Sequence, residues 1–243
     1  IYCKLDLNIF EMNSKFKYID LQNRFYKISI KKNKRAKRII LKVSNIDRKI
    51  SITLPKYESE KRGLNFLFKN QEWVLKQLNS IPKKIPFKNF SKIPYMGKMH
   101  KIIHISRNGN LIYIYKDQII FFGKKDDLSK NIKKWLFDKA KNEIIKLANS
   151  KVVLLEKNFN KIYIKDLKSS WGTCGHNGNL SFSWRLILAP RHVMEYIVVH
   201  ELCHLVELNH SKEFWKLVTT IFPHRNHSQN WLKLNGTNLH SIG

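Results

Sequence analysis

The sequence predicts an α+β fold with a β-rich N-terminal part and a helical C-terminal part. Three observations predict it. Apolar and polar residues alternate in two stretches of the first half, Phe25 to Pro55 and residues 95–122, which is the period of half-buried strands. The run from Arg191 to Leu208 is apolar on most sides, as a helix at the centre of a core must be. Hydrophobic side chains make up 43% of the 243 residues, enough for one large domain or two small ones. With only 9 Gly and 6 Pro, collagen-like and low-complexity chains are excluded.

The elements follow in order. Residues 1–20 lack a clear period and read as an extension. Tyr26, Ile28 and Ile30, then Ile39 to Val43, then Ile50, Ile52 and Leu54 predict three strands, with turns near 33–35 and 45–48. Residues 58–79 read as one helix with Leu64, Leu67, Trp73, Val74, Leu75 and Leu78 on a broad apolar side, and Gly63 weakens its first turn. Pro82, Pro86 and Pro94 mark a linker. Strands are expected at Ile102–Ile105, Leu111–Tyr115 and Ile119–Phe122, with a turn at Asn108-Gly109-Asn110. Asp126 and Asp127 are placed to cap a helix running to about Asn149, with Leu128, Ile132, Trp135, Leu136 and Ile145 inward. Lys161 to Lys165 alternate as a strand. Trp171–Cys174 and Leu180–Leu188 read as a hairpin around Asn177-Gly178. Leu180–Trp184 is read as the edge strand of that region. Pro190 then opens the buried helix.

Composition bounds the partners. The formal net charge is +28, from 37 Lys and 9 Arg against 18 acids. A balance this basic suggests a polyanion such as a nucleotide or nucleic acid. The scarcity of Arg argues instead for a solvated surface produced by drift toward Lys, Ile and Asn. Residues 1–150 hold 35 basic and 12 acidic side chains, and residues 151–243 hold 11 and 6. The basic half is therefore not the half that carries the chemistry. No purely apolar run approaches the roughly 20 residues a membrane helix needs, so no membrane partner is expected. Lys4 and Asp6 interrupt what a secretory leader would keep apolar across residues 1–10. Cys3, Cys174 and Cys203 form no C-x-x-C pair, which points to a reducing, cytoplasmic compartment.

The chemistry lies in His200-Glu201-Leu202-Cys203-His204. Two histidines four apart project from one helix face and can bind one metal ion. Glu201 beside them is placed as a general base, the H-E-x-x-H arrangement of zinc hydrolases. A buried helix does not carry two His and a Glu without partners that satisfy them. Cys203 reads as a small core residue. A catalytic zinc takes three protein ligands and keeps one position open. His210 leads as the third, ten residues after His200. Glu207, Glu213, His224 and His227 are the alternatives. A helix end at Leu208-Asn209, with Asn209 left-handed, would turn His210 back toward the metal.

The run Trp171-Gly172-Thr173-Cys174, then Trp184-Arg185-Leu186, then Tyr196 to His204, then Asn209-His210-Ser211 and Phe214-Trp215 resembles the YgjP-like (domain of unknown function 45) metallopeptidase family, zincins related to the SprT-like proteins. The resemblance covers residues 25–232. It implies a zincin-like α+β domain with His200, His204 and His210 as ligands of one Zn2+ per chain and Glu201 as catalytic base. It also implies a division into an extension (1–24), a β-rich part (25–125) and a zincin-like catalytic part (126–243). The family usually carries a basic residue directly before Trp-Gly-Ser/Thr-Cys, where this sequence has Ser170.

The first functional expectation is thus a zinc-dependent hydrolase acting on peptide or protein, with Trp171 and Arg185 as candidate substrate contacts. For both tryptophans, Trp171 and Trp184, core packing is the plainer role. Arg185 can equally satisfy a carboxylate such as Glu213. Two alternatives remain at this point. One is a metal-dependent hydrolase of nucleotide phosphoanhydrides. The other is a nucleic-acid-associated protein whose zinc is structural, closed by His224 or His227.

Overall fold

In a computed structural model, residues 9–11 and 17–243 are described. The leader reading of residues 1–10 and the compartment reading of Cys3 fall largely or wholly outside them. The chain divides into two compact units whose boundary lies at Lys83/Lys84, between Pro82 and Pro86.

The first unit is a five-stranded sheet with two helices. Strands β1 (Ile9–Glu11), β2 (Lys17–Asp20), β3 (Phe25–Asn33), β4 (Ile40–Val43) and β5 (Ile50–Pro55) pair in the order β1-β2-β3-β5-β4. The segment that reads as an extension therefore supplies two strands. Its strands are three and four residues long, too short to display a period. β3 and β5 run parallel, so β4 crosses to the outer edge. Alternation along β5 buries Ile50, Ile52 and Leu54 against Leu64 and Leu67 of α1 (Glu60–Lys69) and Val74 and Leu78 of α2 (Gln71–Ser80). The expected single helix is two, and Trp73, expected on its apolar side, is exposed because α2 buries only Val74 and Leu78. At Asn70 the backbone leaves helical geometry (φ −110°, ψ 20°), and its side chain donates to the Phe66 carbonyl at 2.7 Å. Gly63 does not weaken α1 for lack of a role. A Cβ there would sit 2.7 Å from Leu54 Cδ2, so glycine lets the helix lie against β5.

The second unit opens with β6 (Lys92–Tyr95), β7 (Lys98–Ser106), β8 (Leu111–Tyr115) and β9 (Gln118–Gly123), ordered β6-β7-β9-β8. Pro94, expected in a linker, lies within β6 and pairs with Met99. β7 and β9 are parallel, and β8 returns antiparallel on the edge. β2 to β5 follow the same scheme, so the two sheets share a topology that no sequence repeat announces.

Helix α3 (Leu128–Val152) follows a 3₁₀ turn at Lys125–Asp127. Asp127 occupies its N-cap, yet no side-chain capping bond forms. Ile132, Leu136, Ala140 and Ile144 recur every four residues along its buried face. The mixed helix-and-sheet architecture is as expected from the sequence.

A three-stranded sheet of β10 (Ile162–Lys165), β11 (Gly172–Cys174) and β12 (Leu180–Ser183), ordered β10-β12-β11, stands beside the helices. The expected edge strand is in fact central: β12 pairs parallel with β10 and antiparallel with β11, and all four of its residues are buried. β11 is the edge. The hairpin turn is as expected, with Gly178 at φ +72°. The strand does not continue to Leu188. Ser183 caps a 3₁₀ helix at Trp184–Leu188 whose side chains are all buried.

Three helices follow: α4 (Arg191–Cys203), α5 (Lys212–Ile221) and α6 (Arg225–His240). α4 buries nine of its 13 residues and packs on α3, α5, α6 and β11. Among the described residues, no helix is long and apolar enough to cross a membrane.

Candidate metal centre

α4 ends at Cys203, five residues earlier than its apolar pattern suggests. His204 is the C-cap, still right-handed (φ −68°, ψ −11°). The Leu205 and Val206 amides then bond three residues back, to the Leu202 and Cys203 carbonyls at 2.9 and 3.0 Å. This tightening satisfies terminal carbonyls that an α-helix leaves open. Asn209 is not among the described left-handed residues. The reversal is completed instead at Ser211, whose hydroxyl accepts from the Phe214 amide at 3.1 Å and starts α5.

The reversal brings His210 to α4. The Nε2 atoms of His210 and His200 lie 3.0 Å apart. One ring nitrogen from each of His200, His204 and His210 falls within 4.8 Å of the others. Fully buried Phe214 lies beneath them, its ring centroid 5.0, 4.5 and 4.8 Å from those of His200, His204 and His210. None of Glu207, Glu213, His224 or His227 belongs to this group. Glu213 lies in the exposed first turn of α5, and the His227 ring packs at a tilt against His192, 4.8 Å between centroids.

The donor set fits a metal ion. The His204 Nδ1 faces the Glu207 carbonyl at 2.9 Å. Donation there fixes the tautomer and leaves Nε2 free as a ligand. Nitrogens bound to one tetrahedral zinc at 2.0–2.1 Å stand about 3.3 Å apart, close to the His200–His210 separation. Burial and the neighbouring His204 and His210 push His200 down to about 3, and burial lowers His204. Both rings are therefore neutral at pH 7, the form that binds metal. His200 Nδ1 is buried without a partner.

Glu201 shares the cavity of about 700 Å³ that these histidines line. Burial raises its carboxyl to about 7. Its neighbour is β11: a Cβ on Gly172 would lie 2.5 Å from Glu201 Cγ and 2.8 Å from Oε1. Glycine is thus required for the carboxylate to sit against the edge strand. Burial raises the Cys203 thiol to about 12, and Cys203 is not part of the histidine cluster.

Trp171 lines the same cavity, half-buried, and stacks on His240 at 4.8 Å. Trp184 is wholly buried core. Arg185 is not brought to the cavity. It is buried and paired with Asp166, not Glu213. Its Nη2 donates to the Ile242 carbonyl at 3.3 Å, and its guanidinium lies 4.5 Å above the Trp184 ring. Tyr196 and Gln229, to which the sequence assigns no role in the site, also line the cavity. Tyr196 lies four residues before His200 on the same helical stripe, a spacing that could have flagged it. Gln229 comes from α6 and carries no sequence signal.

A cleft with three convergent imidazoles and a buried carboxylate defines a site of the metal-dependent hydrolase class. The chain belongs to the YgjP-like metallopeptidase domain family, whose model, described as "YgjP-like, metallopeptidase domain", matches residues 37–235. That membership supports a metal-dependent peptidase in general and gives no support to a nucleic-acid partner. No curated protein and no solved structure matches the chain significantly.

Proposed function

We propose that this protein is a zinc-dependent, zincin-like peptidase in which His200, His204 and His210 hold one Zn2+ and Glu201 is the general base. The observation that carries the reading is the convergence of the three imidazoles beside the Glu201 carboxylate in one open cavity. Three nitrogen ligands suit zinc and leave a position for substrate or water. When bound, the metal supplies Lewis-acid polarisation of a carbonyl and lowers the pKa of water.

The protein's own residues do the rest. Glu201 accepts the proton of the attacking water and passes it to the leaving amine. Its burial suits that exchange, because a carboxyl raised toward neutrality both takes and returns a proton. Gly172 keeps that carboxylate against β11. The free side of β11 offers main-chain groups to an extended peptide, which would add as a further strand beside Glu201. Trp171 forms an apolar wall for a substrate side chain. The unpaired thiols of Cys174 and Cys203 support a reducing, cytoplasmic setting.

Metal content and hydrolysis of an unstructured protein test the reading, with wild type beside Glu201→Gln and His210→Ala. About one zinc per chain in wild type and Glu201→Gln, cleavage by wild type alone, and zinc loss in His210→Ala are expected. Full cleavage by Glu201→Gln would end the base assignment, and full zinc in His210→Ala would move the third ligand elsewhere.

A further inference from the structure

We propose that the Tyr196 hydroxyl is the hydrogen-bond donor that stabilises the oxyanion formed during peptide cleavage, and that Gln229 is the residue that aims it. The proposal rests on the peptidase reading above and adds the missing electrostatic partner of the carbonyl oxygen.

A one-directional chain of hydrogen bonds carries the argument. Arg225 can only donate. Its Nε donates to Thr219 Oγ1 at 2.9 Å, and its guanidinium lies 4.7 Å above the Trp215 ring, so it is held in place. Its Nη1 faces Gln229 Oε1 at 3.4 Å. That contact fixes the amide orientation, with oxygen toward Arg225 and nitrogen toward Tyr196. Gln229 Nε2 then donates to the Tyr196 hydroxyl oxygen at 2.8 Å. A phenol that accepts there must direct its own proton elsewhere. No protein acceptor takes that proton among the hydrogen bonds of the described residues.

Position supports the assignment. Tyr196 is one helical turn before His200, and the two rings meet edge to face at 5.9 Å. Phe222 packs against the same ring at 6.1 Å. The ring is thus held in place, and Tyr196 lines the same cavity as Glu201 and His200. The groups that bear on its charge are Gln229, Arg225 and Glu201. A donor fixed before reaction is what oxyanion stabilisation requires, since it needs no reorganisation as charge develops. The step breaks no bond at Tyr196. The phenol keeps its proton and only strengthens a hydrogen bond as the carbonyl oxygen gains negative charge.

The test uses zinc-loaded full-length protein as wild type, Tyr196→Phe and Gln229→Leu. Phe keeps the packing on His200 and Phe222, so zinc content and melting temperature are expected to match wild type. The first readout is calorimetric affinity for methylphosphonate, a tetrahedral anion with no side chain to recognise. Tyr196→Phe is expected to weaken it by about tenfold or more, and Gln229→Leu by less. The second is hydrolysis of an unstructured protein, where Tyr196→Phe is expected to lower kcat by about 10²-fold with KM within about twofold. Equal anion affinity in wild type and Tyr196→Phe, or no anion binding by wild type, overturns the proposal. Tyr196-dependent anion binding without any protein cleavage by wild type supports the donor assignment and refutes the peptidase reading instead.

Discussion

Replacing Gly172 by alanine tests the carboxylate's position without substituting any proposed ligand or base. The new Cβ would stand 2.5 Å from Glu201 Cγ, 2.8 Å from Oε1 and 2.9 Å from Cδ. Ordinary contacts of this kind are about 3.5 Å or more, so the Glu201 side chain must retreat by about 1 Å. β11 cannot absorb the shift easily, because Gly172 is held in register with Phe182 of buried β12. Overpacking on this scale costs about 1–3 kcal/mol, which a domain of this size tolerates. A reacting group misplaced by 1 Å loses about 10²-fold in rate, equivalent to about 2.7 kcal/mol of barrier. The expected variant is folded, melts a few degrees lower, retains its zinc, and hydrolyses an unstructured protein about 10²-fold more slowly. Zinc analysis, a thermal melt and kcat measured on one preparation are the assay. Wild-type kcat in a folded Gly172→Ala protein would show that the Glu201 carboxylate does not act from the position beside β11, and the base argument would fall with it.

Two further outcomes follow from the residues around that cleft. Arg185→Met is expected to destabilise the protein by about 1–3 kcal/mol while leaving kcat and KM within twofold, because Arg185 serves Asp166, Ile242 and Trp184 rather than the cavity. A normal melt with raised KM would restore Arg185 as a substrate contact. His240 titrates below its ordinary 6.5 because it is buried and then because Arg185 is near, with Asp166 opposing. The unfolded chain therefore takes up this proton at a higher pH than the folded one does. The stability it contributes is complete above about pH 6.5 and is lost as pH falls toward the lower folded value. Melts between pH 7.5 and 5 are expected to show a shallower acid-side decline in His240→Asn, and an unchanged slope would refute the linkage.

The legible parts of this molecule are those where one residue type has one physical use. Apolar positions every three or four residues on all sides of 191–203 describe a buried helix, and two histidines four apart must share a face. Asn-Gly at 177–178 describes a hairpin. The parts that were not legible depend on partners distant in sequence. Nothing in Leu180–Ser183 reveals that Ile162–Lys165 will pair with it in parallel, and that pairing moves the sheet edge to β11. Gly63 reads as a weak point locally and Gly172 as one position of a short strand, yet each is required by a neighbour that presses against it. Asn70 splits a helix because its side chain competes for a backbone carbonyl, an event that apolar periodicity does not record. The end of α4 is not legible because Leu205, Val206 and Leu208 continue the apolar pattern after the backbone has turned. Arg185 was open to two uses because a charge can be buried only with a partner, and the partner, Asp166, lies on a loop whose approach no pattern specifies.

Burial is the common cause of the site's chemistry, and it acts in opposite directions on bases and acids. It holds His200 and His204 in the neutral form that can coordinate, and it lifts Glu201 toward the range in which a carboxylate exchanges protons at physiological pH. The same burial raises the Cys203 thiol between the two α4 histidines and keeps it inert. A helix less buried than α4 would leave the imidazoles protonated more readily and the carboxylate a weaker base. The polar residues of His200-Glu201-x-x-His204 therefore need the apolar surroundings that the buried helix and Phe214 supply. Enlarging or hydrating that core would be expected to degrade the proposed metal binding and proton transfer together, even with every proposed site residue intact.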